Sequence, residues 1–252
     1  VIYVVDARER DHFKDVFDSA KLIGWNKTPD GNESKLVHVP FGSVLGEDNK
    51  PLKTRSGVSV TLSSLLHEAI DRGVREVTKR SQDASSPTHG MSKGDLNTIG
   101  RQIGIGAVKY ADLSNDLIRD YVFDVDRMVA FEGNTGPYIQ YACARICSLI
   151  RKGGVEHDAP MRIIEPQERM LALKLIQYND VLHDAIASLE PHRLCTWLFE
   201  LTEAFSGFYQ SCPVLKNNNE EIKQSRLRLA DITRRVIVDG LDMLGIESPE
   251  KM

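Results

Sequence analysis

Val1-Ile2-Tyr3-Val4-Val5-Asp6 opens the chain, and Lys35-Leu36-Val37-His38-Val39 answers it after one intervening amphipathic stretch. Both runs are rich in β-branched residues and read as strands. Between them, from about His12 to Trp25, Phe13, Val16, Phe17, Ala20 and Leu22/Ile23 recur at helical spacing. Gly24 and then Pro29-Asp30-Gly31 close that segment. Strand, helix, strand in this order predicts a parallel α/β unit, because parallel strands need a crossover between them. Ligands of such sheets gather beyond the carboxyl ends of the strands. Here those ends are Asp6 and the segment 38–42.

Outward from this unit the pattern turns helical. Leu62, Leu65, Leu66, Ala69, Ile70, Val74 and Val77 form one apolar stripe, predicting a helix over about 61–80. Residues 82–93 are polar, Ser-rich and interrupted by Pro87, so they read as a surface loop before a helix over about 95–113. Tyr121-Val122-Phe123-Asp124-Val125-Asp126 alternates apolar and acidic residues, which suits a short strand or an extended connector. Further helices are expected at about 137–152, 166–188, 191–211 and 220–245. Pro160, Pro166, Pro191 and Pro213 fall in the connections or just inside helix starts. The change near residue 130 divides an α/β part, 1–130, from an all-α part, 131–252. No internal repeat is present.

Composition bounds the function. Of 252 residues, 41% are hydrophobic and 27% charged, the balance of a soluble globular chain with a proper core. No run of about 18 apolar residues offers a membrane span, and the N-terminal run has no basic segment or cleavage site of a signal peptide. A net charge of −4 is not that of a general nucleic-acid coat protein. A local RNA site remains compatible with it, and residues 216–235 carry six Lys/Arg against three Asp/Glu. Cys143, Cys147, Cys195 and Cys212 lack ligand spacing for zinc, so no metal site is expected, and they read as reduced, cytoplasmic thiols. Because the chain starts inside a strand without Met, it reads as part of a polypeptide whose remainder lies upstream of residue 1.

Three constellations carry chemistry. Lys53-Thr54-Arg55-Ser56-Gly57 places two cations and two hydroxyls beside a flexible Gly, suited to closing on a triphosphate. An ordinary solvated loop would look the same. His38-Val39-Pro40-Phe41-Gly42 follows a strand; His38 and Phe41 would flank a purine ring and Gly42 would let the backbone approach it, although a buried Phe and a satisfied His fit equally. Tyr138, Tyr141 and Arg145 fall at i, i+3 and i+7, one helix face with stacking and phosphate-binding groups suited to RNA. A half-buried amphipathic helix is the plainer reading of the same spacing. Two other stretches are set aside. Gly104-Ile105-Gly106-Ala107-Val108-Lys109-Tyr110 lacks the third Gly and the preceding strand of a dinucleotide fingerprint, so its glycines serve close helix packing. Met91-Ser92-Lys93 sits in a linker far from any strand end.

Taken in order, the stretches resemble arginyl-tRNA synthetase, a class I aminoacyl-tRNA synthetase. They are Val5-Asp6…His12-Phe13, the 38–42 and 53–57 segments leading into Val60-Thr61-Leu62, Gly104–Leu113, Asp120-Tyr121-Val122-Phe123-Asp124, Gly133-Asn134-Thr135-Gly136-Pro137-Tyr138-Ile139-Gln140-Tyr141-Ala142, Phe208-Tyr209-Gln210-Ser211-Cys212, and Gly245–Met252. The resemblance implies an α/β plus all-α fold, the C-terminal part of a Rossmann-type catalytic domain followed by a helical-bundle anticodon-binding domain. It implies a ligase that joins arginine to its tRNA with ATP, Mg2+ being the counter-ion of ATP. In that frame Lys53, Thr54, Arg55, Ser56 and Gly57 occupy the place of the second signature loop and hold the ATP phosphates, Lys53 and Arg55 acting on the leaving pyrophosphate. His38, Phe41 and Gly42 lie at the adenine side. Asp6 and Glu9 lie near the arginine. Tyr138, Tyr141, Arg145 and Met252 approach the tRNA. The first signature loop, of HIGH type, belongs to the sequence before residue 1.

The chain departs from the family pattern at three places. Glu9 stands where the family usually has Gln, which puts a charge near the substrate. The 53–57 loop lacks the common second Lys. Cys143 replaces an aromatic or His. Two alternatives accompany this reading: a tRNA-binding module without catalysis, and another class I synthetase such as the cysteinyl type.

Overall fold

A computed structural model describes residues 1–46, 50 and 61–252. Strand β1, Ile2–Asp6, continues through a 3-10 turn, Ala7–Glu9, into α1, Arg10–Leu22. Strand β2, Val37–Phe41, returns parallel to β1 with Ile2 opposite Val37 and Asp6 opposite Phe41. The α/β unit is therefore right in topology, and α1 starts and stops slightly earlier than its periodicity suggests. Gly24 explains the stop. At φ +73° it takes the left-handed conformation open to glycine, and the N–H groups of Gly24 and Trp25 satisfy the carbonyls of Lys21 and Ala20. Tyr3, Phe13 and Phe17 pack ring against ring between α1 and the sheet, at centroid distances of 5.3–5.7 Å.

A second parallel pair, β3 (Val44–Leu45) and β4 (Tyr121–Val122), brackets a helical hairpin of α2 (Leu62–Ser81) and α3 (Lys93–Leu113). Thus Tyr121-Val122 is a strand, whereas Asp124 caps a single helical turn, α4 (Val125–Met128), which contains Asp126. Ser92 caps α3 by accepting the Asp95 N–H at 3.1 Å, which accounts for Met91-Ser92-Lys93 in structural terms. The hairpin closes to backbone contact. A Cβ on Gly104 would sit 2.4 Å from the Ala69 carbonyl oxygen, and one on Gly73 2.3 Å from that of Gly100. The glycines of α3 are packing residues, as their sequence context suggests.

The remaining helices are α5 (Gly136–Gly153), α6 (Pro166–Ile176), α7 (Tyr178–Ser188), α8 (His192–Ser211) and α9 (Glu220–Met243). The single helix expected over 166–188 is two, broken at Gln177. The break turns Tyr178 inward, where it stacks on Trp197 at 5.1 Å and donates to Asp239 at 2.6 Å. Leu198, Leu201, Phe205 and Phe208 of α8 form the centre of the helical core with Ile139, Ile146, Leu227 and Ile237. Tyr110 joins α3 to this core: its buried hydroxyl donates toward Asn134 and the Cys195 carbonyl at 2.6 and 2.9 Å.

One ion pair is buried within the bundle. The Arg226 Nε donates to Glu168 at 2.6 Å, and Arg226 also donates to the Pro213 carbonyl at 2.8 Å. Glu168 accepts the N–H groups of Ile164 and Glu165 as well, at 2.7 and 3.0 Å. Burial raises the Glu168 carboxyl, but the two backbone donors and Arg226 outweigh it and hold it below the ordinary carboxylate range. A depressed native value means that unfolding takes up a proton, so this contribution is complete above about pH 5 and is lost as pH falls through the native value.

Two stability outcomes follow. Gly104→Ala forces its methyl into the Ala69 carbonyl and should cost about 1–3 kcal/mol, read as a lowered midpoint in urea unfolding. Glu168→Gln should cost about 3 kcal/mol near neutral pH by stranding Arg226. The deficit relative to the parent chain should shrink below pH 4, as seen in unfolding titrations at several pH values.

Candidate functional site

The carboxyl ends of β1 and β2 lie side by side. Asp6 accepts from the Arg8 backbone N–H at 2.8 Å and from the Arg8 guanidinium at 2.9 and 2.7 Å. These bonds, the guanidinium's first, hold the Asp6 carboxyl at about 2. Glu9 is exposed at the end of the same turn. The expected purine-flanking trio is partly taken up by the protein itself. His38 stacks on Phe13 at 4.9 Å, nearly coplanar, and its Nε2 lies 3.0 Å from the Val5 carbonyl. Gly42 borders the cleft next to Phe41, but its Cβ direction is closed by the protein's own backbone: a Cβ there would lie 2.8 Å from the Arg119 carbonyl carbon. Of the three, Phe41 presents the most free ring, being 40% exposed. It faces a cleft of about 760 Å³ between the sheet and the apolar side chains of Leu182, Ile186, Leu194 and Met243. Lys53, Thr54, Arg55, Ser56 and Gly57 lie outside the described residues. The helix they lead into is well started, with Thr61 and Ser64 exchanging reciprocal side-chain to backbone bonds at 3.1 Å.

On the helical half, α5 does bring Tyr138, Tyr141 and Arg145 to one face. Thr135 caps its start by accepting the Tyr138 N–H at 3.2 Å, and Pro137 fits the first turn. The three line a cavity of about 270 Å³ whose opposite wall is Glu203, Ser206 and Gln210 of α8. Arg145 donates to the Tyr141 hydroxyl at 2.9 Å and lies over the rings of Tyr141 and Tyr209, at 4.9 and 5.4 Å from their centroids. The Tyr138 hydroxyl donates to Glu203. Burial and that carboxylate push the Tyr138 phenol up, so it remains a neutral donor. The result is a half-buried recess with a guanidinium, a carboxylate, an amide and aromatic faces.

Met252 is placed differently from expectation. It is 4% exposed and packs with Val77, Ile103 and Ala144 beneath Tyr141. Its side chain belongs to the cluster against which Tyr141 packs. Cys143 and Cys147 are buried free thiols. No group of three or more His, Cys, Asp or Glu among the described residues could hold a metal ion. Among the described residues no helix is long and apolar enough to cross a membrane. Glu203 and Ser206 complete the recess, with the Tyr209 ring beside Arg145, and sequence reasoning named neither Glu203 nor Ser206. Their only signal was the nearby aromatic run around Phe208-Tyr209, and Glu203 is 65 residues away from Tyr138 in the chain.

Residues 1–125 match the family model for the catalytic domain of class I tRNA synthetases of the arginine type, and residues 139–252 match the DALR anticodon-binding domain. The chain belongs to the arginyl-tRNA synthetase family. Family members along the whole chain include the arginine–tRNA ligase of Thermobifida fusca, 46% identical over 255 aligned residues, and that of Proteus mirabilis, 39% identical. In each case all of this chain aligns with 42% of the relative, so it spans less than half the length of these family members. The arginyl-tRNA synthetase structures from Thermus thermophilus and Plasmodium falciparum superpose with TM-scores of 0.84 and 0.81, at 29% and 30% identity. Both cover the whole chain with 41% of their own. Membership of the arginine family removes the cysteinyl alternative.

Arg8→Ala should release Asp6. Its carboxyl resonance should then titrate near the ordinary 3.8 instead of near 2, followed by carbon-13 NMR between pH 1.5 and 6.

Proposed function

We propose that this chain serves the ATP-dependent attachment of arginine to its tRNA, with residues 1–130 on the catalytic side and 131–252 reading the tRNA. The observation that carries the reading is the recess on α5 and α8, in a helical unit matched by an anticodon-binding family and continuous with a synthetase catalytic unit. Its volume of about 270 Å³ suits one unstacked base. Tyr141 and Tyr209 offer ring faces. Arg145 and Glu203 offer a donor and an acceptor to the base edges or the adjoining phosphate. Tyr138 holds Glu203 in place, and Met252 buttresses Tyr141.

On the catalytic side the partners are ATP, with Mg2+ as its counter-ion, and arginine. Lys53 and Arg55 would neutralise the charge that grows on pyrophosphate as the arginine carboxylate attacks the α-phosphate, with Thr54, Ser56 and Gly57 shaping the loop. No side chain need act as nucleophile in that step. Phe41 would cover the adenine, while His38 and Gly42 brace the end of β2 that carries it. Asp6 and Glu9 stand at the mouth of the same strand ends, on the arginine side. The four buried, unpaired cysteines fit a reducing compartment, the cytoplasm.

Binding of the chain to an anticodon stem-loop of an arginine tRNA tests this directly, beside a stem-loop with a substituted anticodon, at two salt concentrations. The reading expects a preference of at least five-fold for the cognate loop that persists at the higher salt, and loss of that preference in Arg145→Ala. Equal, weak binding of both loops that vanishes with salt would reduce the interaction to charge attraction and refute the assignment.

A further inference from the structure

Arg145 is held from a distance. Its guanidinium bonds the Tyr141 hydroxyl and spans the Tyr141 and Tyr209 rings, so its direction depends on how the Tyr141 ring stands. That ring is fixed from its far side by Phe131, edge-on at 6.3 Å and 84°, and by Arg80. Arg80 comes from the last turn of α2, on the catalytic side of the chain. Its guanidinium lies 3.8 Å from the centroid of Phe131 and 5.6 Å from that of Tyr141. Phe131, Arg80, Tyr141, Arg145 and Tyr209 thus form one run of rings and guanidinium groups drawn from the α4–α5 connection, α2, α5 and α8.

From this geometry we infer that Arg80 is the positioning residue for the tRNA-reading recess: it sets Tyr141, and through Tyr141 the direction of Arg145. The inference rests on the tRNA reading of that recess proposed above. Arg80 does not itself line the recess. Its own surroundings are mixed in charge. Arg72, Glu76, Asp126 and Glu132 share its groove, and Arg72 is paired with Asp126. Two cations against three anions make that groove a poor place for phosphate, which assigns Arg80 to the ladder and not to a second RNA contact. A flat guanidinium can lie on the Phe131 ring, 3.8 Å from its centroid, and still reach Tyr141; an ammonium of the same charge has no face to stack.

Three variants of the 252-residue chain decide the matter: Arg80→Ala, Arg80→Lys and, as a control on the same helix, Arg72→Ala. Two readouts apply, affinity for the cognate anticodon stem-loop and the side-chain Nε–Hε resonance of Arg145, which senses the ring currents of Tyr141 and Tyr209. The expected result is at least a five-fold loss of affinity and a displaced Arg145 resonance in both Arg80 variants, with Lys failing to rescue. Arg72→Ala should leave both readouts unchanged. An Arg145 resonance that stays in place in Arg80→Lys overturns the inference, as does affinity restored by Lys, since charge alone would then suffice. If the unaltered chain shows no stem-loop binding, the tRNA reading fails by itself, and the Arg145 resonance still decides whether Arg80 positions it. Should Arg80→Ala prove unfolded, the Lys variant carries the test alone.

Discussion

Three helices of this protein touch backbone to backbone, and the rest of the structure is arranged around that contact. Gly73 of α2 faces Gly100 of α3; Gly104 of α3 faces Ala69 and Ile70; and Gly136 at the head of α5 faces the Gly106 carbonyl, where a Cβ would stand 2.8 Å away. A side chain at any of these points would hold the helices apart. Without one, dispersion contacts run along the main chain itself, and a small sideways error is met at once by steric overlap. α3 is thereby gripped on two sides, by α2 and by α5 of the helical bundle. Across this seam Tyr110 reaches Asn134 and Cys195, and the Gln140 amide donates to the carbonyls of Gln102 and Glu247.

This close seam is what lets chemistry be shared between the two halves. Arg80, at the end of α2, reaches Phe131 and Tyr141 only because α2 lies so near the path from α4 to α5. The recess next to it draws on α5 and α8, whose mutual orientation depends on the packing of α6 and α9 and on the buried Glu168–Arg226 pair between them. Desolvating two charges is costly, and the pair is retained with Glu168 accepting three hydrogen bonds and Arg226 donating two. Local charge then differs from total charge: a chain of net −4 presents a guanidinium over two phenolic rings at this recess.

Much of the architecture was legible before any coordinates. The strand–helix–strand opening, the helical stripe of α2, the Ser-rich loop before α3 and the packing role of the α3 glycines are local matters of period, turn chemistry and side-chain size. So is the common face of Tyr138, Tyr141 and Arg145, which needs only 3.6 residues per turn. What the chain order could not show shares one feature: each case turned on a partner far away in sequence. His38 is engaged by Phe13 and Val5, Gly42 by Arg119, Met252 by the hairpin side chains beneath Tyr141, and Gln177 breaks a helix because Tyr178 finds Trp197 and Asp239.

By itself, then, the sequence determined the element types, their order, the parallel crossover and the family, because those follow from periodicity, caps and motifs read along the chain. The tertiary structure alone decided which of the candidate residues remain open to a ligand. It buried Met252, packed Gly42 against the protein's own backbone, added Glu203 to the recess, and set Tyr209 beside Arg145 and Arg80 beside Tyr141. Whether a polar or aromatic side chain is engaged or available is a property of what packs against it, and those neighbours are brought together only when the chain closes on itself.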